Sequence, residues 1–229
     1  NLDYDGYEFL ILVTGNYASN DFTVVEGVTD IVNEAIFKKN MATEQTLGVK
    51  ITNEDKSAFG STRGAGPGYT AFRQSYMSNS EEYSMGVIGA YDCATMAYNA
   101  LLSDLKTIDN LDLSHSWWDP NAERDMTIKD KLFFTAGDMS LTAKKVTHCI
   151  LFSKEIIREN PTLRNPYELV RQDNWNFDTF GEEIKKVSED VNGDNKFDMS
   201  DKFGLLTWND PIMAILTASG ERIVTLKDN

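Results

Sequence analysis

Cysteine and histidine are nearly absent from this chain, at two residues each among 229, and proline is sparse at five. Cys93 and Cys149 are too few for a disulfide framework and lack metal-type spacing, so two thiols buried in apolar surroundings are expected. His115 and His148 stand far apart, with no cysteine companions and no HExxH spacing, which argues against a zinc centre. Positive charge is also short: 22 Lys plus Arg face 36 Asp plus Glu, a formal charge of −14. A surface that acidic repels phosphate backbones and excludes nucleic acid as a natural partner. No apolar run approaches the roughly 20 residues that span a bilayer; the longest candidate, EFLILVTG, has strand length. A secretory leader is missing too, and a chain that starts at Asn1 is expected to be a processed or trimmed product. There is no GxSxG elbow and no Walker loop. The run Gly64-Ala65-Gly66 is followed by Pro67 and reads as a loop, not a phosphate cradle. Paired carboxylates for glycoside hydrolysis stay open with so many acids, but none sits in an apolar frame that would raise its pKa.

What remains is enough to bury a sizeable core in one large domain or two smaller ones. DYDGYEFLILVTGNY reads as a turn at Asp5-Gly6, a buried strand to Val13, then a polar tip. In FTVVEGVTDIVNEAIFKKN, residues Val28, Ile31, Val32, Ala35 and Ile36 recur at helical spacing, with Lys38 and Lys39 in the last turn. GVKITNED is a second strand, EEYSMGVIGAYD a third running into a polar tip, and CATMAYNALLSDLK another helix. This alternation predicts a mostly parallel sheet covered on both faces. From about Leu113 the texture changes. DKLFFTAGDMS and the start of THCILFSKEII read as strands, ENPTLRNPYELV as a two-proline linker, and TFGEEIKKVSED as a helix capped by Asn176 or Asp178. The C-terminal ILTASGERIVTLKDN stops at a turn without a closing element and reads as cut.

That last helix runs into DVNGDNKFDMSD, which places oxygen-bearing side chains at loop positions one, three, five, nine and twelve. The spacing is that of a twelve-residue calcium loop. Asp190, Asn192, Asp194, Asp198 and Asp201 supply side-chain oxygens and Lys196 its backbone carbonyl. Asn195 stands where Gly is usual and must take the left-handed turn. Phe197 is expected to pin the loop to a core. The same residue types also build ordinary acidic turns. A calcium sensor needs a second helix to reorient. Downstream, KFGLLTW is short and strand-like, with no second amphipathic helix, so a structural staple is expected instead of a switch.

Aromatic residues stand beside hydrogen-bond acceptors at three places: Trp117-Trp118 in SWWDP, Tyr91-Asp92 at the third strand's end, and Trp208-Asn209-Asp210 in a polar break. A ring that stacks on C–H faces, beside acceptors for hydroxyl protons, suits a sugar. Core packing is the alternative for each tryptophan, and Trp175 reads as structural.

Taken together, DYDGYEFLIL, SWWDP before KLFFTAGDMS, NPYELVRQDNWNFDTF, DVNGDNKFDMSDKFGL and ASGERIV resemble extracellular solute-binding proteins of the carbohydrate-uptake type. The resemblance runs in order through nearly the whole chain. It implies lipid-anchored, cell-surface proteins of Gram-positive bacteria that deliver sugars to ABC-importer permeases without breaking a bond. It further implies an α/β fold of two lobes, periplasmic-binding-protein-like (type II), here incomplete at the C-terminus because family members are considerably longer. Lobe one would cover residues 1–134, and residues 135–229 would form part of a mainly helical lobe two holding the calcium loop. Cleft positions would be Asn16, Tyr91, Asp92, Asp138 at the crossing, Trp208 and Asn209, with Trp117 and Trp118 close by. A carbohydrate-active enzyme or accessory module with a calcium staple, or a binder of a non-sugar solute, are the competing expectations.

Overall fold

The computed structural model of the chain describes residues 2–14, 21–24, 26–27, 30–56 and 65–222. The chain divides into two compact units, Asn1–Thr147 and His148–Asn229. It is a mixed α/β protein with one small parallel sheet and, among the described residues, nine α-helices.

Unit one is built on β1 (Tyr7–Thr14), the central strand of a three-stranded sheet of order β2-β1-β3. Strand β2 (Val49–Lys56) pairs with it in parallel from Tyr7↔Val49 to Thr14↔Lys56, and β3 (Met85–Val87) only from Ile11 to Val13. Successive side chains of a strand point to opposite faces. Ile11, Leu12 and Val13 are nonetheless all buried, so both faces of β1 are covered. Ile11 and Val13 pack with Phe22, and Phe9, Ile51, Met85 and Val87 flank them. Each fully buried aliphatic chain of this kind contributes about 1.5–3 kcal/mol. On the Leu12 face, Gly86 lies so close to Phe72 that a Cβ there would collide with the ring. Phe72 belongs to α2 (Pro67–Ser78), which therefore covers that face.

Helix α1 (Ile31–Leu47) starts where Asp30 accepts hydrogen bonds from the Val32 and Asn33 amides. It does not stop at Lys38-Lys39. The residues Asn40–Leu47 carry it on to Gly48, whose left-handed φ of 63° ends it. The basic pair is thus mid-helix, and Lys38 pairs with Glu34 one turn back. Helix α2 has its own start signal, Pro67 at the first helical position behind Gly66, inside a stretch whose glycines mask it. Helix α3 (Ala90–Tyr98) is shorter than CATMAYNALLSDLK predicts, because Asp104 caps a separate 3-10 turn, Leu105–Thr107. Two further short helices, α4 (Pro120–Met126) and α5 (Thr142–Lys145), belong to the same unit. The run DKLFFTAGDMS is not a strand. It contributes only isolated bridges, Ile128 to Lys131 and Gly137 to Trp118. Cys93 is half-buried, and burial, with Asp92 adding to it, pushes its thiol up to about 11. Cys149 is exposed, so the expected pair of buried thiols is not formed.

Unit two contains α6 (Lys154–Glu159), α7 (Pro166–Arg171), α8 (Phe177–Val187) and α9 (Asp210–Ala218). The segments expected as strands, 148–152 and 203–207, are not strands here. Part of the expected linker is helix α7, opened by the Asn165 cap and Pro166. A helix does follow the calcium-type loop, which the short KFGLLTW run does not predict, but α9 starts only at Asp210 and does not flank the loop. The interior of this unit is thin: among its described residues only Leu169 and Thr179 are buried. Ion pairs make up part of the difference. Arg164 donates from its backbone N–H and Nε to Glu183 (2.9 and 2.6 Å) and from an Nη to Glu182 (2.7 Å). Lys186 joins Glu183 to the Thr162 carbonyl. These contacts fasten residues 162–164 to α8.

Burial raises the Glu183 carboxyl, but Lys186 and Arg164 outweigh it and hold the group below the usual glutamate range. A carboxyl lowered on folding contributes stability above its unfolded pKa and loses it as pH falls through the folded value. Glu183→Gln is therefore expected to lower the melting temperature at pH 7 and to narrow the difference between melts at pH 7 and pH 3, measured in chelator. An undiminished difference would remove Glu183 from the acid sensitivity.

Candidate functional site

An open parallel sheet binds ligands beyond the carboxyl ends of its strands, at the point where the strand order reverses. In the order β2-β1-β3 that point lies between the ends of β1 and β3. Asn16, expected at the tip after β1, lies outside the described residues. Tyr91 and Asp92 follow β3, but they sit in the first turn of α3 and not on a strand tip. Gly89 caps that helix, which begins at Ala90, ahead of the Tyr91-Asp92 pair expected to end the strand. An acidic side chain is favoured in a first helical turn. The Asp92 carboxylate accepts the Gly66 N–H at 3.1 Å, linking the entries of α2 and α3. Gly68 lies against Thr14 and Ile88, so this junction is packed around the end of β1. Tyr91 is exposed.

A second group forms where Trp118 and Gly137 make an antiparallel bridge. Asp138 N–H donates to the Trp117 carbonyl at 2.7 Å, and Asp119 N–H to the Ala136 carbonyl at 2.9 Å. A side chain on Gly137 would collide with the Trp117 carbonyl, which is why glycine stands there. The structure thus brings Trp117, Trp118 and Asp138 together, from segments about twenty residues apart in sequence. Trp118 is half-buried and donates its indole N–H to the Asp112 carbonyl at 3.0 Å. Trp117 is 49% exposed, and the His115 ring stacks on it at 4.1 Å with planes 20° apart. The Asp138 carboxylate is exposed and pairs with Lys144 at 2.8 Å. An exposed flat ring beside an acceptor and a donor can stack on a sugar face and exchange hydrogen bonds with its hydroxyls.

In unit two, Trp208 is exposed and Asn209 precedes α9 without capping it through its side chain. Unit two also has an open hollow of about 370 Å³ lined by Phe152, Lys154, Ile157, Arg158, Asn165 and Tyr167. There the Lys154 ammonium lies 5.6 Å from the centre of the Tyr167 ring, whose edge-on neighbour is Phe152. Its walls come from two neighbouring runs, residues 152–158 and 165–167, so the hollow is local to one short stretch of chain.

The 190–201 loop has the backbone of a cation loop. Asn195 takes φ 62°, the left-handed value its position requires, and Gly193 takes φ 72°. Asp190 accepts the N–H groups of Gly193 and Asn195, Asn192 that of Asp194, and Asp194 that of Lys196. Asp198 accepts the Ser200 N–H, while Asp201 reaches back to the N–H groups of Val191 and Asp198. The first and last carboxylates therefore both face the loop interior. The loop's mouth is closed by paired backbone bonds between Glu189 and Lys202. Ligand chemistry and backbone form fit a hard, oxygen-seeking cation. Among the described residues no three His, Cys, Asp or Glu side chains are grouped as a metal centre. Phe197 does not pin the loop to a core. It is exposed and meets Phe203 edge-on, since unit two has little core to offer.

No protein-family model matches the chain, and no curated protein matches its sequence.

Proposed function

We propose that this chain belongs to a two-lobed, type II solute-binding protein that captures a sugar or oligosaccharide for an ABC importer at the cell surface. The observation that carries the reading is the Trp118–Gly137 bridge, which brings the half-exposed Trp117 together with Asp138 and its Lys144 partner. Tyr91 and Asp92, in the first turn of the helix past β3, lie near the sheet end that such a site uses, and Asn16 joins them in the proposal from its sequence position. In the same reading Trp208 and Asn209 are further ligand-binding positions, in the second unit. The reaction is reversible capture, and the residues stack, accept and donate without breaking a bond.

Calcium belongs to the same proposal. Asp190, Asn192, Asp194, Lys196, Asp198 and Asp201 would hold it, and it supplies a fixed charge that ties the end of α8 to the chain beyond the loop. The cell-surface location agrees with this role, because extracellular calcium is abundant. A lipid anchor at the cell surface is part of the same proposal; no helix among the described residues is long and apolar enough to cross a membrane.

The test is a thermal-shift screen against glucose, xylose, maltotriose, cellotriose and a mixed tripeptide pool, in calcium and in chelator. A sugar-specific rise in melting temperature supports the proposal. A peptide-specific rise moves the function to a non-sugar solute, and release of reducing ends from an oligosaccharide moves it to an enzyme.

A further inference from the structure

Asp21 is an acidic side chain that is 1% exposed, and every one of its described partners lies at least 119 residues away. Its Oδ2 accepts from Ser140 Oγ at 2.8 Å, from Thr142 N–H at 2.7 Å and from Thr142 Oγ1 at 2.8 Å. Its Oδ1 accepts from Lys145 Nζ at 2.7 Å. The neighbouring Phe22 is part of the β1 core, so this carboxylate is anchored to the sheet. Burial raises the Asp21 carboxyl, but Lys145, Ser140 and Thr142 more than offset it, and the group is ionised at neutral pH.

Helix α5 needs this contact. It has only four residues, and Leu141 at its N-cap offers no side-chain acceptor. A short helix without a cap leaves its first amides unpaired and is marginal on its own. Asp21 supplies the missing acceptor to Thr142, the first helical residue. Successive helical residues diverge by about 100° around the axis. With Thr142 and Lys145 held on Asp21, Lys144 is directed elsewhere, and there it meets Asp138 at 2.8 Å.

We infer that Asp21 is a positioning residue for the sugar site: it caps α5 from across the sequence and so fixes Lys144 on Asp138, beside Trp117. The inference rests on the sugar-binding reading proposed above. Asp21 itself is buried and touches no ligand.

Asp21→Asn keeps the shape and removes the charge that holds Lys145. Affinity is measured by calorimetry with whichever of glucose, xylose, maltotriose or cellotriose gives the largest thermal shift. A loss of about tenfold, roughly 1.4 kcal/mol, is expected. In an Asp138→Ala background the same change should cost less than twofold, because a residue acting through Asp138 is non-additive with it. An unchanged affinity in the single variant, or a full additional loss in the double variant, overturns the inference. If Asp21→Asn does not fold, Lys145→Met, which removes one of the four bonds at an exposed position, replaces it in the same cycle. If the wild-type chain binds none of these sugars, the functional reading falls and amide exchange at Thr142 decides Asp21's part alone. Exchange at least tenfold faster in Asp21→Asn supports the cap, and unchanged exchange overturns it.

Discussion

Chelating calcium is expected to lower the melting temperature of the unit that contains Asp190–Asp201 by on the order of 10 °C. A cation present at 100 times its dissociation constant stabilises the folded state by about 2.7 kcal/mol. In a domain of this size each kcal/mol moves the midpoint by roughly 4–8 °C. The effect is large here because the unit buries so little: Leu169 and Thr179 are its only buried described residues. Asp190→Ala should abolish the response to calcium. Sugar affinity, measured well below the melting temperature, should change less than twofold on chelation. A large loss of affinity with the fold intact would make calcium part of the sugar site or its regulator, and would reject the staple.

Trp117→Ala is expected to weaken sugar binding by about 2 kcal/mol, close to 30-fold, the cost typical of truncating an aromatic anchor. The His115 ring stacks on one face of the indole, so in the proposed reading the sugar would use the other and its loss would remove the stacking contribution. The fold should tolerate the change, because the bridge to Gly137 is formed by Trp118 and the Asp138 bond uses the Trp117 backbone. Trp118→Ala is the less informative variant, since its indole N–H is bonded to the Asp112 carbonyl and its loss disturbs the segment itself. Calorimetric titration of Trp117→Ala that agrees with wild type within twofold would place the sugar elsewhere.

Local signals are legible where they act alone. Asn176 caps α8 through Thr179 N–H, as the helical spacing before the loop demands. Asn195 takes the left-handed turn its loop position demands. Strands β1 and β2 follow their apolar and alternating runs. The same signals mislead where two of them compete. Pro67 is hidden among glycines, and Lys38-Lys39 imitates a helix end in the middle of α1. Apolar segments such as THCILF and KFGLLTW have strand composition, yet a strand exists only when another pairs with it, and no partner is present among the described residues.

The sequence by itself determined the α/β alternation of the first hundred residues, the caps and turns, and a loop whose oxygens are spaced for a cation. The caps, turns and loop depend on hydrogen bonds between near neighbours, so a short stretch carries the instruction; the alternation shows as hydrophobic periodicity, although each strand still needs a distant partner. Tertiary structure decided the rest: that β1 is the central strand, that Trp118 meets Gly137, and that Asp21 takes Thr142 and Lys145. A carboxylate leaves water only for donors that satisfy it, and residue 21 gives no sign of which distant amide will do so. Burial is a property of the assembled chain, and it alone turned an ordinary aspartate after a strand into the fastening of the segment that carries Asp138.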